Sequence, residues 1–531
     1  MNKLINYTND YLKDTQPAKV VCYTAGITAT SLLLYQTISD RDFKENLQKK
    51  LFKTLRSMPG VSDVVKKERA KAKENLKSIF KTDVSNPHYT LPLKGVSHDA
   101  LVKEMKNLAT VDESHWKDSK VSGCVYLGEK EHTDLLNEAY SLFSLSNPLH
   151  PGVFPSIRKF ETETISMVSN MLNAHPKVVG SLTSGGTESI FMAVKAYRDF
   201  YKDKTNNPEI VVPVTIHAAF DKACEYLKIK IRHVPVDKNY KVDISKMKSM
   251  ITKDTILVAG SAVNFPHGII DDIPAIAKIA QENGIGCHVD ACLGGFILPF
   301  AEELGYDIPP FDWRVPGVTS ISIDTHKFGY AAKGTSVILF GNKKLRRAMY
   351  FVAPNWPGGI YASPTLPGSR PGGLVAACWA SLVAMGRDGF REKAKGVMQT
   401  TKNIIEGLKS IPEITIIGEP KAMVIAFTCD NVFYVNDYMS KKGWHLNALQ
   451  RPNSLHICVT AKMQGMDKQF IDDLRQSVND VKVNKDNLPK DGTAPIYGSA
   501  HGVPDREMVG TILSDFIDQL ITSDHKPSQS T

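Results

Sequence analysis

The chain has 531 residues, 42% of them hydrophobic and 23% charged, enough for several structural units and ordinary globular composition, which excludes a disordered or collagen-like chain. Its eight cysteines are scattered without a CxxC pair, which excludes a disulfide framework and a zinc finger and suits a reducing compartment. The net charge of +9 is local: residues 41–81 hold 13 Lys and Arg against 5 Asp and Glu, so no nucleic-acid partner is expected for the folded body.

Residues 20–38 (VVCYTAGITATSLLLYQTI) carry no charge. At 1.5 Å per residue they just reach across a hydrocarbon core of roughly 30 Å. No small-residue cleavage site follows, so the segment is expected to be a single membrane anchor rather than a signal peptide. Three lysines precede it, whereas Arg41, Lys44, Lys49, Lys50, Lys53 and Arg56 follow closely. The excess of basic residues on that side places residues 1–19 in the lumen and the C-terminal body in the cytosol. The basic stretch to about residue 95 is expected to form a helical stalk, either a solvated linker or one resting on anionic headgroups. A short, moderately apolar span suits the thin endoplasmic reticulum bilayer.

From residue 96 to about 390, strand-like runs alternate with helical ones. Strands are expected at Ile210–Val214, Arg232–Val236, Ile256–Gly260, Gly286–Asp290, Thr319–Ile323 and Ser336–Phe340, with helices starting near Ala218, Ile244 and Ile273. This alternation predicts an α/β domain on a large, mostly parallel sheet, with ligands at the C-terminal ends of the strands. After the Gly/Pro-rich stretch Trp356–Gly373, short strands near Ile414–Ile417, Val424–Phe427 and Leu455–Val459 predict a small α+β domain over residues 391–531.

Four local patterns carry chemistry. Ile321–Gly329 (ISIDTHKFG) ends a strand in a polar cluster with one lysine, Lys327, placed to form an imine with a carbonyl. Thr183–Ser189 (TSGGTES) runs into a helix and exposes backbone N–H groups to an anion, although Ser184 or Thr187 could equally be an ordinary helix cap. Asp290 ends an apolar strand, where an acid needs a cationic or hydrogen-bonding partner. His217 follows another strand and could stack on a flat ring. Together they match the kit of a pyridoxal phosphate enzyme, with Lys327 as the Schiff-base lysine and Asp290 beside the ring nitrogen.

With these residues in place, the sequence resembles the pyridoxal-dependent decarboxylase-like group of fold-type I enzymes, and within it the sphingosine-1-phosphate lyase family. The resemblance covers nearly the whole chain. Its motifs are Val121–Gly128, Ser146–Pro155, Leu182–Ser189, His217–Lys222, His288–Gly295, Thr319–Gly334, Gly358–Gly373 and Ala494–Gly498. It implies that Gly185, Gly186, Thr187 and His326 contact the cofactor phosphate, that His217 stacks on the ring, and that Ser369 reaches the phosphate across a homodimer interface. It also implies that Tyr126, His150, Lys333 and Tyr497 face a phosphorylated sphingoid base. The implied reaction is retro-aldol cleavage of the C2–C3 bond to a fatty aldehyde and phosphoethanolamine. An amino acid decarboxylase and a non-catalytic membrane scaffold are the competing readings.

Overall fold

The computed structural model describes residues 88, 90–484 and 506–522. The expected anchor at 20–38, the basic stretch 41–81 and Tyr497 lie outside the described residues. Among the described residues no helix is long and apolar enough to cross a membrane, and all seven cysteines are free. Residues 103–497 fall in one compact unit, and the described residues on either side belong to a second.

In chain order, helices α1 (His98–Trp116), α2 (Lys130–Phe143) and α3 (Pro155–Met171) lead into an alternating run. It comprises β1 (Val179–Thr183), α4 (Gly186–Phe200), β2 (Glu209–Pro213), α5 (Ala219–Leu227), β3 (Lys230–Val234), α6 (Ile244–Met250) and β4 (Thr255–Ser261). It continues through α7 (Ile273–Asn283), β5 (Gly286–Asp290), α8 (Leu298–Glu303), β6 (Ser320–Ile323), β7 (Ser336–Phe340) and α9 (Lys343–Met349). A hairpin, β8 (Phe351–Ala353) with β9 (Tyr361–Ser363), precedes the long helix α10 (Gly372–Lys409). Then come β10 (Thr415–Ile416), β11 (Val424–Thr428), α11 (Val432–Lys441), β12 (Asn447–Leu449), β13 (Ser454–Cys458) and α12 (Asp467–Val483), with α13 (Arg506–Ile521) in the flanking unit.

The seven-stranded sheet has the order β1-β7-β6-β5-β4-β2-β3. Strands β2 to β6 pair in parallel, and β7 runs antiparallel to both of its neighbours. Two reversals leave β1 parallel to β6, so the C-terminal ends of β1, β2, β4, β5 and β6 share one rim. That is where loops carry ligands in such sheets. The expected strands are all present, within two residues of their expected bounds. Strand β1 was not expected, because Val-Gly-Ser-Leu-Thr has too few apolar residues to signal a buried strand. Its Gly180 is demanded by packing, since a Cβ there would lie 2.6 Å from Leu339 Cδ2.

Strand β5 shows how the sheet is built. Side chains two apart share a face, so Gly286, His288 and Asp290 lie on one side and Cys287 and Val289 on the other, all buried. The ring of Tyr197, from α4, covers Gly286 so closely that a Cβ would lie 2.2 Å from Tyr197 Cε1. A second, fully antiparallel sheet has the order β10-β11-β13-β12. Helix α10 kinks at Gly386, whose φ of 56° and ψ of 178° suit glycine. The expected division at residue 390 therefore falls within the second arm of this helix.

Candidate active site

A cavity of about 400 Å³ opens at the shared rim. It is lined by Ser184–Glu188 from the β1–α4 junction, His217 after β2, Asp290 and Cys292 at the end of β5, and Asp324, His326 and Lys327 after β6. Seven of the expected residues meet there: Gly185, Gly186, Thr187, His217, Asp290, His326 and Lys327.

The β1–α4 junction presents an open helix N-terminus. Gly185 is its N-cap, and no side chain caps the first turn, so neither Ser184 nor Thr187 takes that role. Glu188 braces the loop instead. One carboxylate oxygen accepts from Ser184 N at 2.7 Å and Ser184 Oγ at 2.6 Å, and the other from Leu366 N at 3.1 Å. Gly186 has no room for a side chain, because a Cβ would lie 2.8 Å from both carboxylate oxygens of Asp324.

Asp324 was not among the expected site residues. It is 2% exposed, and its Oδ2 lies 2.8 Å from Lys327 Nζ. Its buried Oδ1 has no hydrogen-bond partner. Burial acts most strongly on Lys327 and disfavours its ammonium, but Asp324, through charge and hydrogen bond, together with Cys292 and Tyr126 outweighs it, and the net displacement is upward. Such a pair, three positions apart in a turn after a strand, gives no periodic signal in sequence.

His326 donates from Nδ1 to the Thr335 carbonyl at 2.6 Å, which leaves Nε2 3.8 Å from Asp324 Oδ2. Burial lowers its pKa below that of an ordinary histidine. His217 accepts the Ala219 N–H on Nδ1 at 3.1 Å, so its neutral ring carries the proton on Nε2. Asp290 Oδ1 accepts from Cys292 N at 3.1 Å. Burial raises the Cys292 thiol well above its usual range, which keeps it protonated and inert as a nucleophile.

The remaining expected residues are not on this lining. Tyr126 is buried near Lys327 and Asp324, and burial raises its phenol so that it stays protonated. Lys333 sits with Nζ 4.6 Å from the centre of the Tyr126 ring, and burial lowers its pKa. His150 and Ser369 are exposed. Asn147, three residues before His150, donates from Nδ2 to Ser369 Oγ at 3.1 Å.

A lysine at a strand end, an open helix N-terminus and an acid at the next strand end define a pyridoxal phosphate-dependent α/β enzyme. Residues 88–430 match the pyridoxal-dependent decarboxylase conserved domain, and the chain belongs to that family. It is 81% identical to the sphingosine-1-phosphate lyase of Dictyostelium discoideum over 98% of this chain and 99% of that one. It is 41% identical to sphingosine-1-phosphate lyase 1 of Mus musculus, over 98% and 93% respectively. Among solved structures, the sphingosine-1-phosphate lyase of Burkholderia pseudomallei superposes with a TM-score of 0.76 at 36% identity, covering 83% of this chain and 98% of that one. Glutamate decarboxylase of Lactobacillus brevis shares the fold, with a TM-score of 0.65 at 20% identity over 76% of this chain and 97% of that one. Within its family the chain thus groups with the sphingosine-1-phosphate lyases, pyridoxal phosphate-dependent enzymes that cleave a carbon–carbon bond.

The residues present fit that cofactor. Uncapped N–H groups at Gly185–Thr187 suit a phosphate, the cavity has room for the ring, and Lys327 and Asp290 both reach its lining.

Proposed function

We propose that the chain cleaves the C2–C3 bond of phosphorylated sphingoid bases, releasing a fatty aldehyde and phosphoethanolamine. The observation that carries this reading is the convergence of Lys327, Asp290, His217 and the open helix N-terminus on one cavity. Bound pyridoxal phosphate supplies an electron sink for the pair released from the broken bond.

The side chains have separable tasks. Lys327 provides the amine that holds the cofactor and exchanges with the substrate amine, and Asp324 keeps its ammonium form in place. The N–H groups of Gly185, Gly186 and Thr187, with His326, would hold the cofactor phosphate. Asp290 would partner the ring nitrogen and His217 would cover the ring, both from the cavity lining. Lys333 and Tyr126, already stacked on one another, bring a cation and a phenol to the Lys327 side of the site. There they would grip the substrate phosphate and hydroxyl, the role that the resemblance also implies for His150 and Tyr497. Holding that phosphate would orient the substrate and so select the bond that is broken.

His150 and Ser369 are exposed in one chain and off its cavity lining, which supports their serving the site of a second copy in a homodimer. The uncharged stretch at 20–38 and the basic residues after it support a single anchor in the endoplasmic reticulum membrane, with the catalytic body in the cytosol. An anchored enzyme meets an amphiphilic substrate where it concentrates.

The test is incubation of the full chain, with pyridoxal phosphate and a phosphorylated sphingoid base, followed by quantification of both products. Wild type should release aldehyde and phosphoethanolamine in equal amounts, and Lys327→Ala neither. Cofactor-loaded wild type that yields neither product but releases carbon dioxide from amino acids would replace this reading with decarboxylation.

A further inference from the structure

Strands β5 and β6 pair with His288 opposite Ser320 and Asp290 opposite Ser322. Alternation puts all four side chains on the face covered by α4. The His288 ring is 0% exposed. Its Nδ1 lies 2.7 Å from Ser320 Oγ and its Nε2 3.0 Å from Ser322 Oγ. Beyond the ring, Ser322 Oγ lies 3.4 Å from Asp290 Oδ1, and Ser320 Oγ lies 2.6 Å from the Tyr197 hydroxyl.

The direction of every link follows from one end. A carboxylate only accepts, so Ser322 donates its single proton to Asp290. The Ser322 oxygen then accepts from His288 Nε2–H. Burial lowers the His288 pKa to about 4, which keeps the ring neutral with one N–H, and Nδ1 must accept from Ser320. The Ser320 oxygen is then open to accept from Tyr197, whose hydroxyl lies 2.6 Å from Thr319 Oγ1 as well. With that bond made, all four point toward Asp290 and polarise one another in the same sense.

We propose that His288 is a positioning residue that aims the Asp290 carboxylate at the cavity through Ser322, as the centre of a one-way hydrogen-bond chain starting at Tyr197. This rests on the reading of Asp290 as the partner of the cofactor's ring nitrogen. Without the chain, Oδ1 keeps only the Cys292 N–H, and the carboxylate can rotate away from the plane that the nitrogen requires.

The test uses the full chain and two kinds of readout. In the cofactor-free protein, ¹⁵N spectra of labelled histidine, assigned by loss of the signal in His288→Leu, should show the Nε2–H tautomer. In the loaded protein, His288→Leu and Ser322→Ala should each weaken pyridoxal phosphate binding roughly tenfold and shift its visible absorption band. His288→Gln keeps an N–H toward Ser322 and should recover most of the loss. The double variant should be no worse than the worse single one, because both break the same chain. The Nδ1–H tautomer overturns the proposal. So do additive losses that follow the thermal unfolding temperature, with Gln no better than Leu. A wild-type spectrum and affinity in Asp290→Asn would overturn it at its premise, and the tautomer in cofactor-free protein tells that failure from a failure of the chain itself.

Discussion

Replacing Asp324 by asparagine isolates the electrostatics of Lys327, the lysine proposed to hold the cofactor. The Asp324 carboxylate lies 2.8 Å from Lys327 Nζ, with Asp324 2% and Lys327 21% exposed. At an effective dielectric of about 20, two unit charges this close attract by about 6 kcal/mol. That corresponds to roughly a 10⁴-fold change in the proton affinity of the amine. Burial is the largest influence and opposes it, and in the wild type Asp324 and its neighbours together prevail. Asparagine preserves shape and removes the charge, so burial is left to act and the amine should lose its proton more readily than a free lysine. Only the neutral amine attacks an aldehyde. Imine formation with added pyridoxal phosphate, followed in cofactor-free protein by stopped-flow absorbance between pH 6.5 and 10, should therefore be faster in Asp324→Asn at pH 7.5. Its pH midpoint should fall below about 10, the range of an unperturbed lysine. A variant that folds normally but keeps the wild-type pH profile would refute the assignment of Asp324 as the controlling charge.

Other expectations follow from single contacts. Glu188→Gln can accept hydrogen bonds on only one side, so the brace between Ser184 and Leu366 breaks. Isothermal titration should show pyridoxal phosphate affinity reduced roughly tenfold with little change in thermal unfolding. Gly286→Ala drives a methyl into the Tyr197 ring and should cost about 1–3 kcal/mol in urea unfolding, and an unchanged midpoint would contradict the close approach. His267, His288 and His456 are buried, and burial lowers each pKa from 6.5 to about 4. They stay neutral in the folded chain while the unfolded chain takes up protons, so their contribution is full above pH 6.5 and lost as pH falls toward 4, each worth roughly 3 kcal/mol. Asp271, raised by burial from 3.8 to about 6, acts in the opposite sense, its contribution being lost as pH rises through 6. Three groups against one predict a lower urea midpoint at pH 4.5 than at pH 7, and a flat profile would refute the balance.

The sequence by itself determined the α/β class, the parallel strands and the residues at their ends, because a buried strand and the loop after it are written in contiguous residues. Lys327, Asp290, His217 and the Gly185–Gly186 turn were legible for that reason, each sitting where an apolar run stops. Tertiary structure decided how those ends are joined. Glu188 and Leu366 are 178 positions apart, and Lys333 reaches Tyr126 from a different segment. The ladder from Tyr197 to Asp290 exists only because β5 lies beside β6 in a particular register and α4 covers that face. Local periodicity states which face of a strand is buried. It does not state which strand lies alongside, since pairing and register are settled by the packing of distant segments.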